Sequence, residues 1–312
     1  YGQINTWNVS LITDMSALLK DKTTFNDDIS SWDVSNVTTM KEMFQSASSF
    51  NQDLSSWNVS SVTSTWGMFR SATSFNQDIS GWDVSNVTTM TTMFWVASSF
   101  NQNLSGWDVS NVTDMSSIFR DTDNFNGDVS GWNLGSALNM YGMFYNAQNF
   151  NGDISSWNVS SVTEMRHMFD GASSFNQNLS SWDVANVANM AEMFNLANAL
   201  SDPNKGLIHA SFSLNSYWLY DWSAYVSQPP VNPDSWEGAT DLGNGWKNLG
   251  WFGGYREVGS NWIHHVHLGW LWRPSGGSTS SIWFHHPGLG WVWTSAAIYP
   301  NVYRFSTSSW IH

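Results

Sequence analysis

Hydrophobic and polar positions alternate along residues 1–200 with one fixed period of 25. Trp stands at 7, 32, 57, 82, 107, 132, 157 and 182. Phe stands at 25, 50, 75, 100, 125, 150 and 175, each followed by Asn. Met stands at 15, 40, 90, 115, 140, 165 and 190, with Thr65 the one replacement in its column. Leu200 and Leu207 mark a ninth unit that decays. Chance does not place eight tryptophans in register, and a period of this length signals a solenoid.

One unit shows how a coil is expected to form. In Leu54-Ser55-Ser56-Trp57-Asn58-Val59 the apolar residues follow L-x-x-W-x-V, the strand pattern of a leucine-rich repeat with Trp in the middle place. The period-two rule then points Trp57 and Val59 inward and Asn58 outward. Val62, Met68, Phe69, Ala72 and Phe75 recur at three- and four-residue steps, which predicts a helical face. Ser60, Ser61 or Thr63 serves as its cap. The Asn after each Phe (Asn51, Asn76, Asn101) opens the return turn, and its constancy predicts a stacked, inward hydrogen-bonding ladder. A metal-binding loop built from residues such as Asn76 and Asp78 is the weaker alternative, because no unit holds three carboxylates at loop spacing. The predicted fold class is an α/β repeat solenoid, leucine-rich-repeat-like, with a parallel β-sheet on one face and short helices on the other. A small, mostly-β Trp-rich domain follows it. The Trp column is core, since each inward ring removes up to ~200 Å² from water, and it is not a sugar-binding stripe.

The consensus F-N-Q-D-I/L-S-x-W-D/N-V-S-N-V-T-x-M-x-x-M-F-x-x-A is clearest at 75–97. It resembles the 25/26-residue bacterial surface-protein repeat of the BspA-like leucine-rich repeat group. The resemblance implies an exported or surface-held protein with adhesive or structural roles and no catalytic centre. It supplies no binding residues.

Because the units repeat, constant columns are core and variable columns are solvent. One outer column reads Lys20, Gln45, Arg70, Trp95, Arg120, Tyr145, Asp170 and Asn195. Four residues earlier, another reads Ser16, Lys41, Trp66, Thr91, Ser116, Tyr141, Arg166 and Ala191. Residues four apart share a helix face, so Trp66, Arg70, Trp95, Arg120, Tyr141, Tyr145 and Arg166 are expected together as a partner-binding surface. Trp, Tyr and Arg are the residues that dominate interface energetics, and this surface is expected to meet the C-terminal part, another subunit or a partner. Scattered surface aromatics are the plainer alternative. The strand's outward column is Asn8, Asp33, Asn58, Asp83, Asp108, Asn133, Asn158 and Asp183, a flat polar strip beside small residues. A solvated face explains it; cations, sugars or ice are weaker alternatives. The N-x-S/T sequons, among them Asn8, Asn36, Asn58, Asn86, Asn111 and Asn158, are a by-product of the repeat.

Composition changes near residue 200. All 13 Met precede it and all 7 Pro follow it. The expected domains are 1–200, the eight-unit solenoid; 201–243, a capping segment and Pro-rich connector; and 244–312, a Trp/Gly/His-rich β-hairpin module. In the last, Leu249-Gly250-Trp251 returns at 268–270 and 289–291, and Trp262-Ile263-His264-His265 returns as Trp283-Phe284-His285-His286 at an offset of 21. This resembles Trp/Gly-rich tail modules of large bacterial surface and secreted proteins, and it serves either as a solenoid cap or as an attachment module. His265, His267 and His285 are the candidate zinc ligands. Against them, the repeat offers no carboxylate.

Charge and cysteine exclude other classes. The chain has no Cys, so disulfides, Cys-held zinc and thiol nucleophiles are excluded. A formal charge of −14 argues against nucleic acid. No apolar run of membrane-spanning length occurs. Tyr1 is not a natural start, so the lack of a signal peptide does not argue against export, and an extracellular or cell-surface location is expected. Neither a cofactor nor a catalytic motif is predicted, and the chain is not expected to be an enzyme. The expected function is adhesion or protein–protein contact through the solenoid, with a host, matrix or like chain as partner. The alternative is a structural homo-oligomer, in which an uncapped first coil stacks head to tail into a filament or surface layer.

Overall fold

A computed structural model of the chain describes residues 2–226 in full and, beyond them, the backbone of strands between residues 240 and 311. Two compact units divide between Tyr225 and Val226, and each is described by itself.

In the first unit every coil is a run of tight turns. In the coil of residues 26–50, alternate N–H groups donate to the next coil: Met40 to Ser64 O (3.1 Å), Glu42 to Trp66 O (2.8 Å), Phe44 to Met68 O (2.9 Å) and Ser46 to Arg70 O (2.7 Å). The N–H groups between them close turns within the coil: Met43 to Met40 O, Gln45 to Glu42 O and Ala47 to Phe44 O. The turns Met40–Met43 and Phe44–Ala47 put their third residues, Glu42 and Ser46, at positive φ. Sixteen residues do so, thirteen non-glycine and three glycine, two in each of the eight units, from Ala17 and Asp21 to Glu192 and Leu196. A left-handed conformation costs an L-residue roughly 1–2 kcal/mol. In the first seven units the strained residue's own N–H is tied to the next coil, as for Glu42 and Ser46, which holds it there.

This pattern overturns the fold class expected from the sequence. The segment 62–75 is not a helix: from Thr65 to Ala72 its N–H groups alternate between the next coil and the residue three back, Thr63 and Ser74 donate to the coil before, and none builds an i→i−4 ladder. Tandem four-residue turns bring apolar residues inward at the same three- and four-residue steps as a helix, so periodicity could not separate the two. The L-x-x-W-x-V segment is not a strand either. Trp57 N–H closes a turn on Leu54 O (3.1 Å), and the next turn runs from Val59 to Val62. Parallel pairing survives only as isolated bridges, Asp14 to Thr39, Thr39 to Ser64 and onward to Asn189. Among the fully described residues there is no strand, and helix is confined to 202–212 and two short 3-10 turns. The leucine-rich-repeat-like solenoid, a parallel sheet backed by helices, is therefore not the architecture, and the mostly-β domain expected after it is not shown among the fully described residues.

The coil interior is built from stacked columns. Phe44 and Phe69 lie 5.3 Å apart, Phe50 and Phe75 6.1 Å, and Trp82 and Trp107 6.5 Å, with nearly parallel rings. Burying a large apolar side chain contributes roughly 1.5–3 kcal/mol, and each coil adds Trp, Phe, Met and Val to one continuous core. The tryptophans of the 25-residue column from Trp32 to Trp182 are buried, whereas Trp7 in the first coil is 47% exposed. The Asn ladder is present: Oδ1 of Asn26, Asn51, Asn76, Asn101, Asn126 and Asn151 each accepts the N–H of the Asn 25 residues later. It runs along the surface rather than inward.

No ninth coil forms. Helix α1 (Asp202–Phe212) starts at its N-cap Ser201, with Pro in the first turn, where a missing N–H costs nothing. Ile208 and Phe212 are buried in the core cluster. Trp218, Tyr220 and Trp222 pack on Phe194 at 6.2, 6.0 and 5.5 Å. The Tyr220 hydroxyl accepts the Phe194 N–H at 2.8 Å, and burial pushes this phenol up to about 12. Asn215 Nδ2 donates to the carbonyls of Val184 (2.7 Å) and Val187 (2.8 Å). Residues 201–225 thus cover the edge of the last coil.

In the second unit, strands β1 (Thr240–Gly243), β2 (Trp246–Leu249), β3 (Gly253–Gly259), β4 (Trp262–His265), β5 (Gly269–Trp272), β6 (Ser281–His286), β7 (Gly290–Ser295), β8 (Val302–Arg304) and β9 (Ser309–Ile311) pair antiparallel in chain order. The 21-residue repeat reappears as two matching registers, Trp262 opposite Trp272 and Trp283 opposite Trp293.

Candidate functional site

The two variable columns occupy the second position of successive turns, immediately before the two positive-φ residues of each unit. Trp66 precedes Gly67 and Arg70 precedes Ser71; Tyr141 precedes Gly142 and Tyr145 precedes Asn146. That position points away from the core, and two turns place such residues four apart on one side. The side chains are therefore neighbours through turns and not through a helix.

Stacking between coils is close. Arg70 Cζ lies 3.9 Å from the centroid of the Trp95 ring, and Arg120 Cζ lies 5.1 Å from that centroid and 4.2 Å from that of Tyr145. Arg70, Trp95, Arg120 and Tyr145 thus form a cation–π ladder across four coils, each such contact contributing roughly 0.5–1 kcal/mol where partly exposed. Asp121 pins it: Oδ2 accepts from Trp95 Nε1 (2.9 Å) and Arg120 Nε (3.3 Å), and Oδ1 accepts from Asn146 Nδ2 (2.9 Å). Arg166 Cζ lies 4.8 Å from the centroid of Tyr141. Trp66 is 37% exposed, and among the described residues no cation stacks on it.

The ladder ends at a polar group that sequence reasoning missed. Tyr141 and Tyr145 meet the His167 ring edge-on at 5.8 and 5.9 Å. His167 Nδ1 lies 2.8 Å from Asp170 Oδ2 and 3.6 Å from Glu192 Oε2. Asn195 Nδ2 donates to Asp170 Oδ1 at 2.9 Å. The available signal was that His167 is the sole histidine among residues 1–200; its partners lie in two coils, which the columns taken singly do not show.

The polar strip is placed differently from expectation. Asn8, Asp33, Asn58, Asp83, Asp108, Asn133, Asn158 and Asp183 are all exposed, but they belong to turns rather than to a strand face. Each accepts the N–H two residues on, from Ser10 through Ala185. The hydroxyl and N–H of the following serine hold the carboxyls of Asp33, Asp83 and Asp108 below the usual range. One side-chain oxygen of each residue in the strip, Oδ1, is thus engaged in holding its own turn.

Of the three candidate zinc ligands, His267 lies outside the described residues, and only the backbone is described at His265 and His285. Trp272 pairs with both Trp262 and His285, while His265 pairs with Gly269. His285 is therefore two strands away from β4 and level with Trp262, three residues along from His265. At ~4.8 Å per strand and ~3.4 Å per residue, that register does not bring the two together.

A family model described as "Mycoplasma protein of unknown function, DUF285" matches residues 2–107, 79–157 and 97–207. No curated protein and no solved structure matches the chain.

Proposed function

We propose, for a chain that belongs to the DUF285 family across its repeats, a non-enzymatic role in adhesion or protein–protein contact through the side of the solenoid that carries the arginine–aromatic ladder. One observation carries the proposal: Arg70, Trp95, Arg120 and Tyr145 are held stacked before any partner arrives. Ordering side chains at an interface costs roughly 0.5–1.5 kcal/mol for each flexible one, and a pinned ladder avoids most of that cost. Arg70, Arg120 and Arg166 are also three of the six basic residues among residues 1–200. A partner with acidic and aromatic groups is the complementary surface.

The likeness of the repeat to BspA-like surface proteins supports an extracellular setting. Among the described residues no helix is long and apolar enough to cross a membrane. Residues 201–225 cover the last coil, which removes the open edge that head-to-tail stacking of coils requires, so the proposal does not extend to a filament.

The test is binding of the purified full chain to immobilised extracellular matrix proteins and to itself, compared with a Trp66→Ala/Arg70→Ala/Arg120→Ala variant. Protein binding by the wild type that falls at least tenfold in a folded variant supports the proposal. Binding that the triple variant retains in full overturns it.

A further inference from the structure

We propose that His167, Asp170 and Glu192 form a binding site for a zinc ion, bridging the seventh and eighth coils. The three potential ligand atoms, His167 Nδ1, Asp170 Oδ2 and Glu192 Oε2, all lie within 4.8 Å of one another. Zinc held at about 2.0–2.2 Å by nitrogen and carboxylate oxygen in tetrahedral geometry sets its ligands roughly 3.4 Å apart. The observed separations from Nδ1, 2.8 and 3.6 Å, bracket that value. An ion replaces the proton that His167 and Asp170 otherwise share, with a small opening of that pair.

The donor set selects the ion. One neutral imidazole and two carboxylates balance a divalent charge. Nitrogen and oxygen without thiolate disfavour soft monovalent copper, and the imidazole disfavours magnesium and calcium.

The surroundings are those of a built site. Asp170 is only 5% exposed, a carboxylate taken out of water with its second oxygen held by Asn195 Nδ2. Metal-binding carboxylates and imidazoles are usually oriented by such outer partners. The edges of Tyr141 and Tyr145 fix the plane of the imidazole. Glu192 has a side chain 61% exposed, which leaves solvent on one side for water as a further ligand.

The repeat does not require these residues. The column of His167 otherwise holds Ala17, Glu42, Gly67, Thr92, Ser117, Gly142 and Glu192, and no other unit pairs a histidine with an acid three residues on. His167 is also held at a φ of 58°, where Gly67 and Gly142 stand in other coils.

Zinc binding to the chelator-stripped full chain is measured by equilibrium dialysis with elemental analysis, for wild type, His167→Gln and Glu192→Gln. The six histidines at 264–312 are present in all three and set a common background. The expected result is one more zinc per wild-type chain than per His167→Gln chain, with a zinc-dependent rise in melting temperature that both variants lose. Glu192→Gln alters an exposed side chain and carries the test if His167→Gln does not fold; its affinity at this site is expected to fall at least tenfold. Equal zinc content and an equal melting shift in wild type and the folded variants would mean that the group is a histidine–carboxylate pair only, and would overturn the proposal.

Discussion

The indole N–H of Trp107 donates to the carbonyl oxygen of Ile79, in the preceding coil, at 3.0 Å. The same relationship, 28 residues back, recurs at Trp57, Trp82, Trp132, Trp157 and Trp182. The Trp column is thus both core and polar ladder: each ring fills the coil, and its one polar atom is satisfied by the coil before it.

Replacing Trp107 by Phe removes that hydrogen bond and part of the ring while leaving an aromatic in place. Ile79 O keeps its bond from Trp82 N–H, so no orphaned carbonyl results. The expected loss is roughly 2–3 kcal/mol, about 1 from the bond and the rest from burial, read as a shift in chemical-denaturation midpoint.

Glycines of one column respond differently to the serine that other coils carry there. A Cβ at Gly81 meets nothing within 4 Å, whereas one at Gly131 falls 2.3 Å from the backbone oxygen of Ser105. Gly81→Ser is expected to change stability by less than about 0.5 kcal/mol. Gly131→Ser is expected to cost roughly 1–3 kcal/mol, although both restore the repeat consensus. Thermal melts of the two variants check the contrast.

Thr65 sits in the Met column at 2% exposure, and its hydroxyl has no hydrogen-bond partner. An unsatisfied buried hydroxyl costs roughly 1–3 kcal/mol. Thr65→Met removes it and extends the column that Met40 and Met90 occupy on either side. A gain of about 1–3 kcal/mol is expected, and a melting temperature no higher than wild type would count against this account.

Acid sensitivity follows from the turn aspartates. In the folded chain the carboxyls of Asp33, Asp83 and Asp108 titrate below their ordinary value because serine hydroxyl and N–H groups bind the ionised form. A depressed folded pKa contributes stability that is present above the unfolded value, near ~3.9, and is lost as pH falls through the folded one. Melting temperature is expected to be level from about pH 7 to 5 and to decline below about pH 4. Asp33→Asn keeps the turn, as Asn58 does in the next coil, and is expected to lessen the decline without harm at neutral pH.

Much of this protein was determined by its sequence alone. The period of 25, the inward Trp, Phe and Met columns and the outward variable columns follow from repetition, because identical coils that stack must expose and bury the same positions. The nearness of Arg70, Trp95, Arg120 and Tyr145 follows from the same register, although the four-residue spacing behind it comes from successive turns and not from a helix. What only the tertiary structure decided was the backbone inside each coil. Apolar residues three and four apart suit a helix and a run of four-residue turns equally well. The choice rests on whether N–H groups bond within the coil or to the next one, and that is a property of stacked coils rather than of any one segment. Glu42 and Ser46 adopt positive φ because Trp66 O and Arg70 O in the following coil hold their N–H groups. The meeting of His167 and Asp170 with Glu192 is of the same kind: an exception to the repeat in one coil finds its partner in another, and only the stacking brings the three within reach of one ion.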